Sequence, residues 1–349
     1  MTEKTRPDLD PELLATAEQR FRQRFRRLDE NDPVCDVLLR LGLERLPWDV
    51  DMFPEAYLAT RHPSPGHREK VPSMEKLAGS ATIPAMPQVL FELQRVMNDP
   101  SSSASDLARV ISNDLKLTAS ILRIANSPLY SFPSRVETVS RAVAILGFRQ
   151  ISTLASGAVL LNTFSISNQA LNLERFWRHS VACGVLARGL AVRMGLEEPE
   201  KFFVAGLLHD LGFLAMSAAI PGTAIHVRAL CREQGRLQTD VEQGVIGYDH
   251  AKFGAYLLKR WNLPLLLVAG VAFHHNPARG AKWNEPQVLH GANFLANGLG
   301  LSITVDVPVE PLDPVTRDRL GLHPAELEEV VRENEQRIEE AFSAFGLGE

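Results

Sequence analysis

The feature that most constrains the fold is an almost unbroken series of amphipathic helical patterns that begins at Ile83. Apolar residues recur three and four positions apart, the spacing that places them on one face of an α-helix. The pattern predicts helices at about 89–97, 107–111, 117–125, 140–146, 150–163, 173–194, 199–219, 222–234, 249–261, 264–274, 286–298 and 324–345. A β-like run at Ser302–Val309 is too short and too closely flanked by proline to anchor a sheet. The chain is therefore predicted to be all-α.

The first 78 residues are predicted to form a separate segment. Residues 10–28 carry an apolar stripe at helical spacing, and arginines occupy the other faces of that helix. These arginines are Arg20, Arg22, Arg24, Arg26 and Arg27. They suit an anionic partner or a membrane surface, but a solvated helix face is the favoured interpretation. Shorter helical patterns follow at 34–45 and 52–60, and the stretch HPSPGHREKVPS reads as a linker.

Composition excludes several classes of protein. The 349 residues suffice for two domains, or for one large domain with an appended piece. A net charge of −5 argues against a general nucleic-acid surface, while a local basic patch is left open. The three isolated cysteines form no CxxC motif, so neither a disulfide framework nor a cysteine zinc site is expected. No signal peptide and no window of ~18 to 20 apolar residues that would span a bilayer are expected, which predicts a cytoplasmic protein.

Histidine and aspartate recur within stretches that otherwise read as buried helix. These residues are His179, His209, Asp210, His250, His274 and His275. Imidazole nitrogens and carboxylate oxygens hold Zn, Mn, Fe or Mg in hydrolases. An alternative stays open, because a histidine on an apolar helix face is commonly a core residue that donates one ring N–H to a carbonyl or carboxylate. His209 and Asp210 would point about 100° apart on a helix, so both reach one site only if it lies between their directions.

Two parts of the chain carry specific motifs in a fixed order. The first part runs from IPAMPQVL through ANSPLY to AVAILGFRQI. The second contains FWRHSVACGVLARGLA, FVAGLLHDLGFLAM and VIGYDHAKFGAYLLKRWNLP, followed by His-His. Over about Ile83 to Asn297 the chain thereby resembles the HDOD domain, the HD-related output domain of bacterial signalling proteins. The resemblance implies an all-helical fold in two lobes, related to HD-superfamily phosphohydrolases. We expect an N-terminal helical extension and linker at 1–78, the HDOD domain at 79–300 and a C-terminal extension at 301–349.

The resemblance also implies a set of metal-ligand positions that converge on one cleft. They are His179, His209, Asp210 and Asn293 at the ligand positions of the HD superfamily, and His250, His274 and His275, nearer the rim, at the additional positions of multinuclear relatives. Asn293 stands where the closing aspartate belongs and offers a metal only a neutral carbonyl oxygen. Glu242 and Asp249 are close to His250 in sequence and are candidates for supplying the missing negative charge.

The favoured function is a non-catalytic signalling output or adaptor protein that binds a partner protein. Asn293 supports this hypothesis, and so does the segment HHNPARG, which lacks the Gly-Tyr-Pro of the HD-GYP proteins that hydrolyse cyclic dinucleotides. A divalent metal (Fe, Mn, Mg or Zn), a nucleotide ligand and a homo-oligomer are left open. One alternative is a metal-dependent phosphohydrolase that acts on a nucleotide or cyclic dinucleotide. The other is a nucleotide receptor without turnover.

Overall fold

The regular structure of the chain is helical throughout its described part. The computed structural model describes residues 7, 9–29, 31–58, 71–127, 130, 132, 134–163 and 171–347, and these residues form no strand, which confirms the all-α prediction. The helices are α1 (Pro11–Gln23), α2 (Pro33–Met52), α3 (Pro54–Leu58), α4 (Met74–Ala78), α5 (Gln88–Asn98), α6 (Ala104–Ser112), α7 (Leu115–Ala125), α8 (Val139–Leu146), α9 (Phe148–Thr163), α10 (Leu173–Arg193), α11 (Pro199–Leu208), α12 (Leu211–Ala219), α13 (Pro221–Gln234), α14 (Gln238–Val245), α15 (His250–Arg260), α16 (Leu265–Phe273), the 3₁₀ turn Pro277–Gly280, α17 (Glu285–Gly298), α18 (Pro314–Leu320) and α19 (Pro324–Phe345).

Two helices that carry predicted site residues begin at capping side chains. Asn172 accepts a hydrogen bond from the backbone N–H of Arg175 at 2.9 Å and begins α10. Asp249 accepts one from the backbone N–H of Lys252 at 2.8 Å and begins α15. Such caps satisfy N–H groups that have no partner within the helix. They therefore fix where α10 and α15 start along the chain.

Helices α5 to α9 pack on one another as a first lobe, and α10 to α17 form a second. Helix α10 is central, since it packs against α11, α17 and α19, while α11 also packs against α9 and joins the lobes.

Two glycines allow the closest contact between α10 and α11. A Cβ atom on Gly206 of α11 would lie 2.6 Å from the Cα of Gly184 on α10. Larger residues at this crossing would separate the two helices that carry His179 and His209.

One apolar stretch, Pro199–Ala219, meets a length and composition criterion for a membrane span. His209 and Asp210 interrupt it, so it is not an unbroken apolar run of ~18 to 20 residues. An 18-residue window within it has a mean hydropathy of 1.6, and 89% of that window is buried inside the protein. It comprises α11 and α12, which lie in the centre of the second lobe, and burial there accounts for its composition.

The segments outside the two lobes share a continuous apolar core with them. Helix α2 packs on α17 and α19, and Arg175 of α10 links these parts through polar contacts. Its Nη1 atom lies 3.1 Å from Oδ1 of Asp49 on α2, and its Nη2 atom donates to the carbonyl of Ser302 at 3.1 Å. Asp49 also accepts a hydrogen bond from the Tyr57 hydroxyl. The domain boundaries at 78/79 and 300/301 stay predictions.

Replacement of Asp49 by alanine would leave the Arg175 guanidinium buried without its carboxylate. We expect the free energy of unfolding to fall by about 3–5 kcal/mol, the usual cost of breaking a buried pair from one side. Urea denaturation measures this change. The control is Arg149→Ala, which removes an exposed ion pair with Glu198 and should cost less than about 1 kcal/mol. Equal losses in the two variants would contradict a stabilising role for the buried pair.

Candidate metal centre

His209 and Asp210 lie at a break between two helices. Helix α11 ends at Leu208 and α12 begins at Leu211, so the predicted continuous helix over 199–219 is wrong at its centre. Asp210 has φ −100° and ψ 16°, whereas His209 keeps helical values of −58° and −36°. The break directs both side chains to the same place, with 3.1 Å between His209 Nε2 and Asp210 Oδ2. A regular helix would have turned these neighbours about 100° apart.

The carboxylate of Asp210 is the centre of a histidine cluster, and its two oxygens face different histidines. Oδ2 lies 3.1 Å from His209 Nε2 and 3.4 Å from His179 Nε2. Oδ1 lies 3.1 Å from His250 Nε2 and 3.6 Å from His274 Nε2. His250 and His274 were expected near the rim, but they are buried and as close to Asp210 as the other two histidines.

The remaining two predicted residues complete the cluster. His275 places Nε2 2.9 Å from His250 Nε2. Asn293 lines the same cavity as His179, Asp210, His250 and His275, and its Oδ1 accepts a hydrogen bond from Asn297 at 2.6 Å. The structure thus brings all seven predicted side chains together. Their assignment as metal ligands stays a prediction.

All five histidines of the cluster have Nδ1 within hydrogen-bond distance of an oxygen acceptor. The Nδ1–O pairs, at 2.5 to 2.8 Å, are His179 with the Leu301 carbonyl, His209 with the Gly206 carbonyl, His274 with the Val271 carbonyl, His250 with the Glu242 carboxylate and His275 with the Glu310 carboxylate. These oxygens accept, so the hydrogen-bond pattern assigns the ring proton to Nδ1. In a neutral ring the Nε2 lone pair is then directed into the cluster, where it is available to a metal; histidines bind metals through either ring nitrogen, with the other ring N–H held by a hydrogen bond.

The arrangement of these lone pairs fits a cation. His179 Nε2 and His209 Nε2 are 3.2 Å apart, and two neutral acceptors at this distance repel each other unless a positive charge lies between them. Asp210 Oδ1 and His274 Nε2 are buried and make no hydrogen bond within the described residues. Ligand atoms bound at about 2.0–2.1 Å to one ion lie about 3.0–3.4 Å from one another. Four of the six spacings given above, at 3.1 to 3.4 Å, lie within this range, and the other two, at 2.9 and 3.6 Å, lie just outside it.

The electrostatics of the cluster favour the protonation states that bind metals. Burial, together with neighbouring histidines, lowers the pKa of His274 and of His275 to about 3, so both rings are neutral. Burial alone would raise the pKa of Asp210, but the surrounding histidines hold it well below its usual value. His250 is the exception, because the Glu242 carboxylate outweighs burial and raises its pKa. Metal binding at His250 would therefore release a proton.

The two carboxylates singled out near His250 have different roles. Glu242 is buried and accepts from both the backbone N–H and Nδ1 of His250, at 2.8 and 2.7 Å. Asp249 instead caps α15 and lies 2.8 Å from the ammonium of Lys252. Glu242 thus places a negative charge at hydrogen-bond distance from Nδ1 of the His250 ring, where it orients the ring and raises its basicity. Asp249 makes no such contact.

Sequence reasoning missed two members of the site. Cys183 places Sγ 3.6 Å from His179 Nε2, and its i+4 spacing from His179 is a signal that could have found it. Glu310, the partner of His275, follows the β-like run at 302–309 and has no comparable signal. Burial raises the pKa of Glu310 to about 7.

Residues 302–310 form a loop that closes the site, which we call the roof loop. Ser302, Ile303, Thr304, Val307, Pro308 and Glu310 line the cavity together with the cluster. The cavity has a volume of about 70 Å³, enough for ions and a few waters but far below the roughly 300–1,000 Å³ of small-molecule pockets. Arg24 at the end of α1 holds the roof loop, because its Nε donates to the Val307 carbonyl at 3.2 Å and its carbonyl accepts from Val309 at 2.8 Å.

Comparison with known proteins identifies the class to which this fold and site belong. The family model of the HDOD domain matches residues 83–277, more than half of the chain. The chain belongs to the HDOD family, as the resemblance predicted. The match ends before Asn293 and before the roof loop, so both lie outside the family region.

Individual relatives agree with this assignment. A Treponema pallidum (strain Nichols) protein without an assigned function is 27% identical over an alignment of 322 residues, and the alignment covers 88% of this chain and 61% of that relative. The chain therefore spans less than two thirds of the relative's length. An HDOD domain protein of unknown function from Geobacter sulfurreducens has a structure that is 25% identical with a TM-score of 0.61, covering 78% of this chain and 96% of its own. A provisionally assigned phosphohydrolase from Shewanella amazonensis SB2B shares the fold at 24% identity and a TM-score of 0.64, covering 79% and 98%.

The position of His250 depends on a close contact between α12 and α15. A Cβ atom on Gly212 would lie 2.0 Å from the His250 carbonyl oxygen and 2.5 Å from the Gly254 nitrogen. We expect Gly212→Ala to move α15 away and to lower the free energy of unfolding by about 1–3 kcal/mol. The control is Gly244→Ala on α14, where a Cβ atom meets nothing within 4 Å and helix propensity favours alanine. Urea denaturation measures the free energy of unfolding of both variants, and equal values would contradict the close contact.

Proposed function

We propose that this HDOD chain is a signal-transduction output protein whose HD-type site holds a divalent metal without hydrolytic turnover. The observation that carries the proposal is the common orientation of five imidazoles, each with Nδ1 facing an acceptor and with Nε2 directed into the cluster around Asp210. A protein that used these histidines only as core residues would not need all five Nε2 atoms to face one centre. On this proposal the chain acts in the cytoplasm through a protein partner.

Three features support the absence of turnover. Asn293 supplies no negative charge, and Asp210 is the one carboxylate among the seven predicted ligands. Glu242 and Glu310 contact histidines on the side away from the cluster centre. The cavity of about 70 Å³ under the roof loop has no room for a nucleotide. A nucleotide receptor function would likewise require the roof loop to move.

A metal-dependent phosphohydrolase is the second candidate. It is favoured by the way the two oxygens of Asp210 face separate histidine groups, His179 with His209 and His250 with His274. Asp210 together with these two histidine groups would hold a pair of divalent ions. When bound, a divalent metal lowers the pKa of a water ligand and polarises a phosphoryl oxygen. The Shewanella amazonensis protein that shares the fold is named as a phosphohydrolase.

Metal content tests the first part of the proposal. We expect the purified full chain to contain Fe, Mn or Zn by elemental analysis and His209→Ala to lose it. Glu242→Gln should weaken metal affinity by about 10- to 100-fold, since it removes the charge that orients His250. The matched control is His323→Ala, an exposed histidine at the start of α19, which should keep wild-type content. Equal metal content in wild type and His209→Ala would refute the assignment.

Turnover tests the second part. We expect the Mn- or Fe-loaded wild type to be inert on cyclic dinucleotides and on model phosphodiesters. Asn293→Asp should bind metal more tightly, because the new carboxylate adds charge while Asn297 can still donate to one of its oxygens. Calorimetric titration of the metal-free protein measures this affinity. Wild-type hydrolysis that disappears in His209→Ala would establish the phosphohydrolase instead.

A further inference from the structure

A second cavity, which we call the arginine cavity, borders the roof loop and has a volume of about 310 Å³. Its lining residues are Arg20, Gln23, Arg24, Arg26, Arg232, Val305 and Asp306. They come from three separate parts of the chain: the end of α1 and the turn after it, α13 and the roof loop. None of them belongs to the histidine cluster. Most lie outside the family region, which begins at residue 83.

Specific contacts hold the arginines at the cavity. Arg24 is only 4% exposed, and its Nε donates to the Val307 carbonyl at 3.2 Å. Arg26 donates to the carbonyl of Arg232 at 3.5 Å, which ties the turn after α1 to α13. This approach requires glycine at position 235, where φ is +61° and a Cβ atom would lie 2.7 Å from Arg26 Cζ. These contacts place Arg24 against the roof loop and Arg26 against α13, on two sides of the same cavity.

This placement differs in part from the solvated helix face that the sequence favoured. Arg24 is buried and Arg20 is half-buried, while Arg22, Arg26 and Arg27 are exposed. Four arginines line the cavity, one of them Arg232 from α13, together with the carboxylate-bearing Asp306. In a chain whose net charge is −5, such a local concentration of positive charge would attract an anion.

We propose that the arginine cavity binds a phosphate-bearing anion. Guanidinium groups present paired N–H donors that match phosphate oxygens, and several of them together recognise a multiply charged group. The volume of about 310 Å³ accommodates a diphosphate or the phosphate end of a nucleotide. The shared chemistry is the phosphate group, whether the source is inorganic or a nucleotide.

The proposal goes beyond the metal site because it assigns an effector to the roof loop. Val305 and Asp306 line the arginine cavity, and their neighbours Ile303, Thr304 and Val307 line the metal cavity. An anion that replaces the Asp306 carboxylate among the arginines alters the position of this loop. The anion thereby controls access to the histidine cluster from a separate site.

Calorimetric titration of the full chain tests binding directly, after chelation so that the result does not depend on the metal proposal. We expect pyrophosphate and ATP to bind and adenosine not to bind. Tighter binding of ATP than of pyrophosphate would identify a nucleotide as the source, and equal binding would identify phosphate alone. Failure of both pyrophosphate and ATP to bind would overturn the proposal.

Arginine variants locate the binding site. Arg232→Gln and, separately, Arg20→Gln should each weaken pyrophosphate binding by at least tenfold, because each removes one guanidinium. Thermal unfolding establishes that each variant is folded. Because the two substitutions lie on different helices, the test remains available if one of the variants does not fold. Arg22→Gln is the matched control on α1 and should bind as wild type does. An equal loss in Arg22→Gln would show that the binding is not at the cavity.

Asp306→Asn tests the exchange of carboxylate for phosphate. Removal of the competing charge should strengthen pyrophosphate binding several-fold, and saturating pyrophosphate should speed hydrogen exchange of amides in residues 301–310 of the wild type. Weaker binding in Asp306→Asn, or unchanged exchange in the loop, would refute the coupling.

Discussion

The buried negative charge of Asp210 is the constraint on which the second lobe depends. A carboxylate removed from water loses hydration free energy of several kcal/mol and needs compensating partners. The partners here are imidazoles carried by α10, by the end of α11, by α15 and by the end of α16. Four helices must therefore meet at one point, and the close crossing at Gly212 and Gly254 permits part of that meeting. The polar centre thus sets how these helices are positioned relative to one another.

Helical periodicity was sufficient to predict the fold class and many helix bounds, because the apolar stripe of each helix is local information. The last helix, Pro324–Phe345, begins and ends where the pattern predicts. The order of the motifs allowed the seven site residues to be predicted as neighbours, because chains that share an ordered set of motifs usually share a fold. The break at 209–210 could not be predicted from periodicity, because both sides of it are equally apolar. Glu310 was missed because loop positions carry no periodic signal.

The closed form of the site depends on residues outside the family region. Arg175 joins Asp49 of the N-terminal segment to the start of the roof loop, and Arg24 holds the loop further along. These contacts therefore come partly from segments that the family model does not match. Likeness of the matched region carries the fold, whereas the contacts that hold the roof loop in this chain depend also on Asp49 and Arg24. The Treponema pallidum relative, of which this chain spans 61%, illustrates how far total length varies.

The position of His209 and Asp210 within Pro199–Ala219 has a consequence for biosynthesis. By length and composition alone, an 18-residue window of this stretch resembles a membrane-spanning helix, although it is buried in the fold. An aspartate in the middle of such a stretch opposes insertion into a bilayer by roughly 2.5–3.5 kcal/mol. The residue at the centre of the cluster thus also disfavours entry of a newly made chain into the lipid bilayer.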